Sequence, residues 1–243
     1  MVTDTFCGRK ALVIGGTGGI GRAVALGLAE RGAELIIHGG SSRERLDSAI
    51  IAIRKNGGKA DGFLLSINNP AAADKILALC PDPDILVCAW GPFKQGALET
   101  LDNEFWQNMV ESNLVFPGIL VSKTIRGMME RNWGRILLFG GTNTDNIRGF
   151  TTTTAYSAAK TALGVIAKSA GKTGGSRGVT CNVVCPGLTD TEYTTAGQRQ
   201  YNAEKSPGGE PLKSGQIARA ALAILENPGI NGALVSVDQG VVL

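Results

Sequence analysis

A chain of 243 residues with 43% hydrophobic and 19% charged side chains can bury a sizeable core as one domain, or at most two small ones. A net charge of +3 without a long Lys/Arg run argues against a nucleic-acid partner. No apolar run of about 18 residues and no signal-peptide pattern occur, so a cytoplasmic protein with no membrane partner is expected.

The five cysteines, Cys7, Cys80, Cys88, Cys181 and Cys185, are scattered, and His38 is the one histidine. On an extended strand Cys181 and Cys185 would stand about 13 Å apart, too far to bridge or share a metal. Reduced cysteines, mostly in the core, and no structural metal are expected. His38 reads as a strand-end residue.

In chain order, Lys10 to Ile14 is an apolar run of strand character, followed at once by Gly15-Gly16-Thr17-Gly18-Gly19-Ile20-Gly21. Arg22 to Arg31 reads as a helix stopped by Gly32, and Glu34 to His38 as a second strand. The unit is βαβ with a glycine-rich first turn. Such glycines let the backbone approach a pyrophosphate, while the helix N-terminus offers unpaired N–H groups and a positive dipole end. Far downstream, Thr154 to Lys160 places Tyr156 and Lys160 at i and i+4, on one face of a helix. An ammonium beside a phenol lowers its pKa from about 10 and makes it a candidate general acid or base. Alone, the pair also fits an ordinary helix with a buried Tyr and a surface Lys.

Gly15-x-x-x-Gly19-x-Gly21, with Tyr156-x-x-x-Lys160 beginning 141 positions after Gly15, resembles the short-chain dehydrogenase/reductase family, Ile14 standing where that family usually has Thr. The resemblance puts Gly15, Thr17, Gly19, Ile20 and Gly21 against a dinucleotide. Counting along the family pattern, the acidic residue that receives the ribose hydroxyls is replaced by Gly39. Ser41 and Arg43 follow closely, with Arg43 preferred over Arg45, so NADP(H) is favoured over NAD(H). A helix from Glu44 to Lys55 precedes a third strand, Ala60 to Ile67, whose Ser66 and Ile67 fall where the family meets the adenine. After a short helix, Ala71 to Leu79, the strand and turn Asp84 to Gly91 carry Cys88 and Ala89 in place of two asparagines, and Trp90 in place of Ala. Ala89 and Gly91 remain cofactor positions.

Asn103 to Arg131 has the length of one long helix. Pro117 has no N–H to donate to the Asn113 carbonyl, which predicts a local departure from helix geometry there; the resemblance makes Asn113 the anchor of a relay water. In Gly134 to Thr142, a fifth strand, the family's serine position is Gly141, and the loop to Tyr156 is two residues longer than usual. Thr142, with Thr144 nearby, is the candidate replacement donor. The helix beyond Lys160 runs through Ala170, and a strand from Val179 to Cys185 leads to Pro186, Gly187, Thr189 and Thr191, matched to positions beside the nicotinamide. The segment 192–214 suits a mobile lid, and a helix from Gly215 to Glu226 and a strand from Ala233 to Val237 complete the chain.

The expected fold is a single doubly wound α/β (Rossmann) domain over 1–243, with a mostly parallel central sheet of six to seven strands. The resemblance implies an NADP(H)-dependent oxidoreductase acting on a small carbonyl or secondary alcohol, a 3-oxoacyl thioester among the candidates. Tyr156 would carry the proton, with Lys160, Asn113 and Thr142 in support, in a homotetramer or homodimer. A fold member that binds dinucleotide without turnover is the alternative, given Gly141 and the altered turn at Cys88 to Gly91.

Overall fold

Strands buried on both faces read as continuous apolar runs, and the first of them, β1 (Lys10–Ile14), is buried at every position after Lys10. In a computed structural model, which describes residues 5–241, β1 lies inside the sheet between β2 and β4. The other central strands are β2 (Glu34–Gly39), β3 (Lys59–Leu64), β4 (Ile85–Cys88), β5 (Gly134–Phe139) and β6 (Val179–Pro186). A short pair, β7 (Thr189–Asp190) and β8 (Leu212–Lys213), lies outside the main sheet, which ends with β9 (Leu234–Val237). The main sheet has seven strands in the order β3-β2-β1-β4-β5-β6-β9, and every pairing is parallel. The chain is therefore a single doubly wound α/β domain, with its reversal of strand order between β1 and β4.

The helices are α1 (Gly19–Ala29), α2 (Arg43–Lys55), α3 (Ala72–Leu79), α4 (Asn103–Val110), α5 (Phe116–Glu130), α6 (Thr154–Gly174), α7 (Ala196–Lys205) and α8 (Ser214–Glu226). The two-residue period of the strands divides their side chains between two cores. Ala11, Val13, Leu35, Ile37, Val87 and Leu137 face α1, α2 and α8. Leu12, Ile14, Leu86, Ile136 and Leu138 face α3, α5 and α6. Helix α1 lies close on α8 because Gly27 leaves room for the Leu222 side chain, which a Cβ would strike.

The last strand is fastened by amides. Asn182 donates to the Ile230 carbonyl at 2.8 Å and accepts from the Ala233 N–H at 2.9 Å. Asn231 accepts from Cys181 at 3.0 Å and donates to Gly171 at 3.1 Å. These bonds hold β9 beside β6, so the loop after β6 has a fixed wall.

Two segments differ from the sequence expectation, and the departure from helix geometry expected near Asn113 is present. Strand β3 stops at Leu64, and Ser66 and Ile67 lie in the following loop, because the Leu65 carbonyl accepts from the His38 ring at 2.8 Å instead of continuing a ladder. The predicted long helix is divided by a π turn at Glu111–Val115, between α4 and α5. Pro117 falls in the first turn of α5 directly after the π turn, and the departure from α geometry surrounds Asn113, whose carbonyl Pro117 has no N–H to meet. The segment 192–214 is not loop throughout: it holds α7, opened by a Thr195/Gln198 capping box, and β8 pairs with β7.

Four of the five cysteines are buried and Cys7 is exposed; all are free thiols. Among the described residues no helix is long and apolar enough to cross a membrane. Leu222 is 4% exposed in the core beneath α1, so Leu222→Ala is expected to lower stability by about 2–5 kcal/mol. Urea unfolding would measure it, with an unchanged midpoint contradicting the packing described.

Candidate functional site

The carboxyl ends of β1, β2, β4, β5 and β6 converge on one edge of the sheet, where an open α/β sheet leaves its crevice. Gly15 leaves β1 with φ +74, and a Cβ on it would stand 3.1 Å from the Ala89 carbonyl oxygen. Gly21 carries the first turn of α1 over the Gly15 carbonyl, into which a Cβ would run. The two glycines thus let the turn lie against the end of β4. The turn is also braced from β2. The Gly15 N–H points at His38 Nδ1 at 3.4 Å, and His38 Nε2 is 2.8 Å from the Leu65 carbonyl. These partners assign the proton to Nε2, in a neutral ring. Burial pulls the His38 pKa below its ordinary value.

Helix α1 starts at Gly19 with no side-chain cap and no acidic residue in its first turn. Its Gly19 N–H instead donates to the Glu192 carboxylate at 2.8 Å. Beside it the Tyr193 hydroxyl lies on the face of Gly18 where a Cβ would project. The Arg45 guanidinium covers the Tyr193 ring at 4.8 Å from its centroid.

On the neighbouring side, the Thr17 methyl covers Gly39, 2.7 Å from where a Cβ would be. Ser42 caps α2 by accepting from Arg45 N at 3.2 Å, while Ser41 is exposed. Arg43 pairs with Asp47 at 3.7 Å on the open face of α2. Arg45, ranked second from the sequence, stacks on Tyr193, whose hydroxyl lies against Gly18. Ser66 is exposed in the loop after β3, and Ile67 packs on the second core.

Helix α6 places Tyr156 and Lys160 beneath the end of β5. Lys160, 5% exposed, donates through Nζ to the Phe139 carbonyl at 2.9 Å, with its ammonium 5.7 Å from the Tyr156 ring centroid. Burial lowers the lysine to about 8. Burial also pushes the Tyr156 phenol well above its ordinary range. The expected lowering of the phenol is therefore missing in this geometry, because burial dominates and the ammonium bonds the Phe139 carbonyl and lies over the ring instead of at the hydroxyl. Burial raises the nearby Cys88 and Cys185 thiols to about 11, so they bring no negative charge to Lys160 at neutral pH.

Asn113, wholly buried in the π turn, donates through Nδ2 to the Pro92 carbonyl at 3.0 Å, and its Oδ1 has no partner. A Cβ on Gly91 would strike that Oδ1 and lie 2.9 Å from Lys160 Nζ. Glycine at 91 thus lets Asn113 and Lys160 share one pocket under the β4 turn. Trp90, where a small residue was expected, turns back onto Phe116 with ring centroids 5.5 Å apart.

A Cβ at Gly141 would stand 3.0 Å from the Tyr156 hydroxyl and 2.9 Å from Cε1. The phenol occupies the space that a side chain at 141 would need. Thr142, half-buried, gives its hydroxyl to the Pro186 carbonyl at 3.2 Å. Thr144, wholly buried, closes the turn by accepting from Gly141 N at 2.8 Å and donating to Gly141 O at 3.0 Å. The Phe93 ring meets Tyr156 edge-on, with centroids 4.9 Å apart. Past β6, Gly187 packs on Asp238, Thr189 donates to Gly187 O at 2.9 Å, and Thr191 bonds with Thr194. Among the described residues no group of three or more His, Cys, Asp or Glu side chains could hold a metal.

Sequence reasoning set Thr144 near the Gly141 position and Glu192 and Tyr193 in the lid segment, but it did not find that His38 braces Gly15 or that Glu192 and Tyr193 meet the start of α1. No local pattern marks those contacts, since the partners meet only through the fold.

A family model described as short chain dehydrogenase matches residues 9–202. The chain is 34% identical over 244 residues to the 3-oxoacyl-(acyl-carrier-protein) reductase of Escherichia coli K12, covering 97% of this chain and 98% of the relative. It is 28% identical to a 2-dehydro-3-deoxy-D-gluconate 5-dehydrogenase of Formosa agariphila, covering 96% and 92%. Among solved structures, a 3-oxoacyl (acyl-carrier-protein) reductase of Agrobacterium tumefaciens C58 with NADP bound superposes with a TM-score of 0.88. That similarity is at 25% identity over 97% of this chain and 95% of the other.

His38 gives a pH test. Its folded pKa lies below the unfolded value of about 6.5. The unfolded chain then binds more protons, so the stabilisation present above about 6.5 is lost as pH falls through the folded pKa. Lys160, at about 8, is mostly protonated in the folded state over this window and adds only a smaller slope of the same sign at its upper end. Urea midpoints of the wild type are expected to fall between pH 7.5 and 5.5, and those of His38→Gln to stay nearly flat; parallel curves would remove His38 as the cause.

Proposed function

The chain belongs to the short-chain dehydrogenase/reductase family, and with an oxidoreductase as premise we propose that it exchanges hydride between NADP(H) and a carbonyl or secondary alcohol, with Tyr156 as the proton carrier. The observation that carries this reading is the position of Tyr156. Its hydroxyl lies against Gly141 at the end of β5, on the sheet edge that also holds the glycine-rich turn, with Lys160 buried one helical turn away.

The residues present fit a dinucleotide. The Gly19 N–H at the start of α1 already takes a carboxylate, a smaller anion of the kind that a helix N-terminus and glycine turn receive from a phosphate. Gly15, Thr17, Ile20 and Gly21 would hold the pyrophosphate side, Ala89 and Gly91 the middle, and Pro186, Gly187, Thr189 and Thr191 the nicotinamide side. Thr17 and Gly39 leave no carboxylate at the end of β2, and Arg45 stands near, which favours a 2′-phosphate. When bound, the nicotinamide supplies or accepts the hydride.

The protein's own part is the proton and the field. A half-buried, protonated phenol is suited to donate to an oxygen that becomes an alkoxide during reduction. Lys160 brings positive charge beneath that oxygen, and its contact with the Phe139 carbonyl fixes where the charge sits. Asn113 secures the Gly91–Pro92 backbone and turns its free Oδ1 toward the lysine pocket. Phe93 supplies an apolar wall beside the phenol. The similarity to a 3-oxoacyl thioester reductase supports a 3-oxoacyl substrate class.

A second reading, dinucleotide binding without turnover, is favoured by one observation: Thr142 already gives its hydroxyl proton to Pro186, and Gly141 carries no donor side chain. A panel of carbonyl compounds with NADPH separates the two, since turnover of any of them excludes the second. Tyr156→Phe is expected to cut turnover by at least about 100-fold while NADPH still quenches protein fluorescence. Undiminished turnover in that variant would remove Tyr156 from the proton step.

A further inference from the structure

The amino end of α1 is where the NADP(H) reading places a pyrophosphate, and one of its donors is already engaged. Glu192 reaches the Gly19 N–H from 173 positions along the chain. Helix α1 brings no negative side chain of its own to that end, so the carboxylate answers both the unpaired N–H and the positive end of the dipole. Tyr193 lies over Gly18 on the same approach, clasped from outside by Arg45 at 4.8 Å. The strand-to-helix turn that presents them is set by threonines: Thr191 N donates to Thr194 Oγ1 at 2.9 Å, and Tyr193 N to Thr191 Oγ1 at 3.2 Å. Glu192 and Tyr193 are both exposed, Tyr193 at 52%. Their release uncovers no core, so the contact can break while the sheet and helices stay folded.

Resting on the NADP(H) reading, we propose that Glu192 is a built-in competitor of the cofactor, its carboxylate holding the N–H that a pyrophosphate must take, with Tyr193 closing the approach above it. A dinucleotide and the Glu192 carboxylate exclude one another by charge as well as by space. The cofactor therefore binds the fraction of molecules in which Glu192 has swung out, and its apparent affinity is lower by that fraction. Because Glu192 opens the segment that continues into α7, cofactor entry also unlatches the stretch 192–214 from the glycine-rich turn. The residue is a determinant of cofactor affinity and of lid position, and it takes no part in the proton step.

Equilibrium titration tests this without turnover. NADPH and adenosine 2′-monophosphate, which has no pyrophosphate, are titrated into the wild type, Glu192→Gln and Glu192→Ala. Both variants are expected to bind NADPH about two- to tenfold more tightly, with adenosine 2′-monophosphate unchanged. In the ligand-free state the Gly19 amide resonance is expected to shift in Glu192→Gln. Unchanged or weaker NADPH binding in both variants overturns the competitor, and so does an equal gain for the two ligands, which would show a general loosening of the lid. NADPH bound by none of the three proteins overturns the dinucleotide reading itself, and this inference with it.

Discussion

The amino end of α1 sets a requirement that much of this molecule is arranged to meet. A helix that begins on glycines, with no cap and no acid in its first turn, leaves N–H groups that must find a negative partner. The glycines that create the need also create the access, because Gly15 and Gly21 let the turn close on the end of β4 without side chains in the way. What remains is an edge of backbone donors at the point where strand order reverses, and in this structure a glutamate 173 positions further along the chain is drawn to it.

Burial dominates the electrostatics one strand further along. Tyr156 and Lys160 share a helix face, yet each is shifted toward its neutral form, the phenol upward and the amine downward to about 8. Desolvation outweighs their mutual attraction because Lys160 spends its closest contact on the Phe139 carbonyl. Under the proposed reaction, a group placed against Tyr156 would meet the fixed charge of a buried lysine, which solvent screens less than a surface one.

The departures from the family pattern are matched by local packing. Where a serine would stand, Gly141 lets the phenol come down onto the backbone, and Thr144 closes the lengthened loop with two bonds to that same glycine. Where a small residue and two amides would brace the β4 turn, Trp90 packs on Phe116 and Asn113 holds the Pro92 carbonyl from below. The turn is kept in place by an aromatic contact and a helix-borne amide instead of by its own side chains.

What the amino-acid sequence determined by itself was whatever depends on neighbours within a turn or two. The apolar runs of the strands, the helix-forming stretches between them, the glycine spacing after β1, the shared face of Tyr156 and Lys160, and the disturbance that Pro117 imposes near Asn113 are all local, so period and residue type suffice to read them. Tertiary structure alone decided that His38 braces Gly15, that Arg45 stacks on Tyr193, that Lys160 points to Phe139, and that Glu192 sits on α1. Those partners lie from about twenty to more than one hundred and seventy positions apart. The physical reason is that a hydrogen bond or a stacked cation is set by direction and distance in space, and only the closed sheet brings such remote groups within reach.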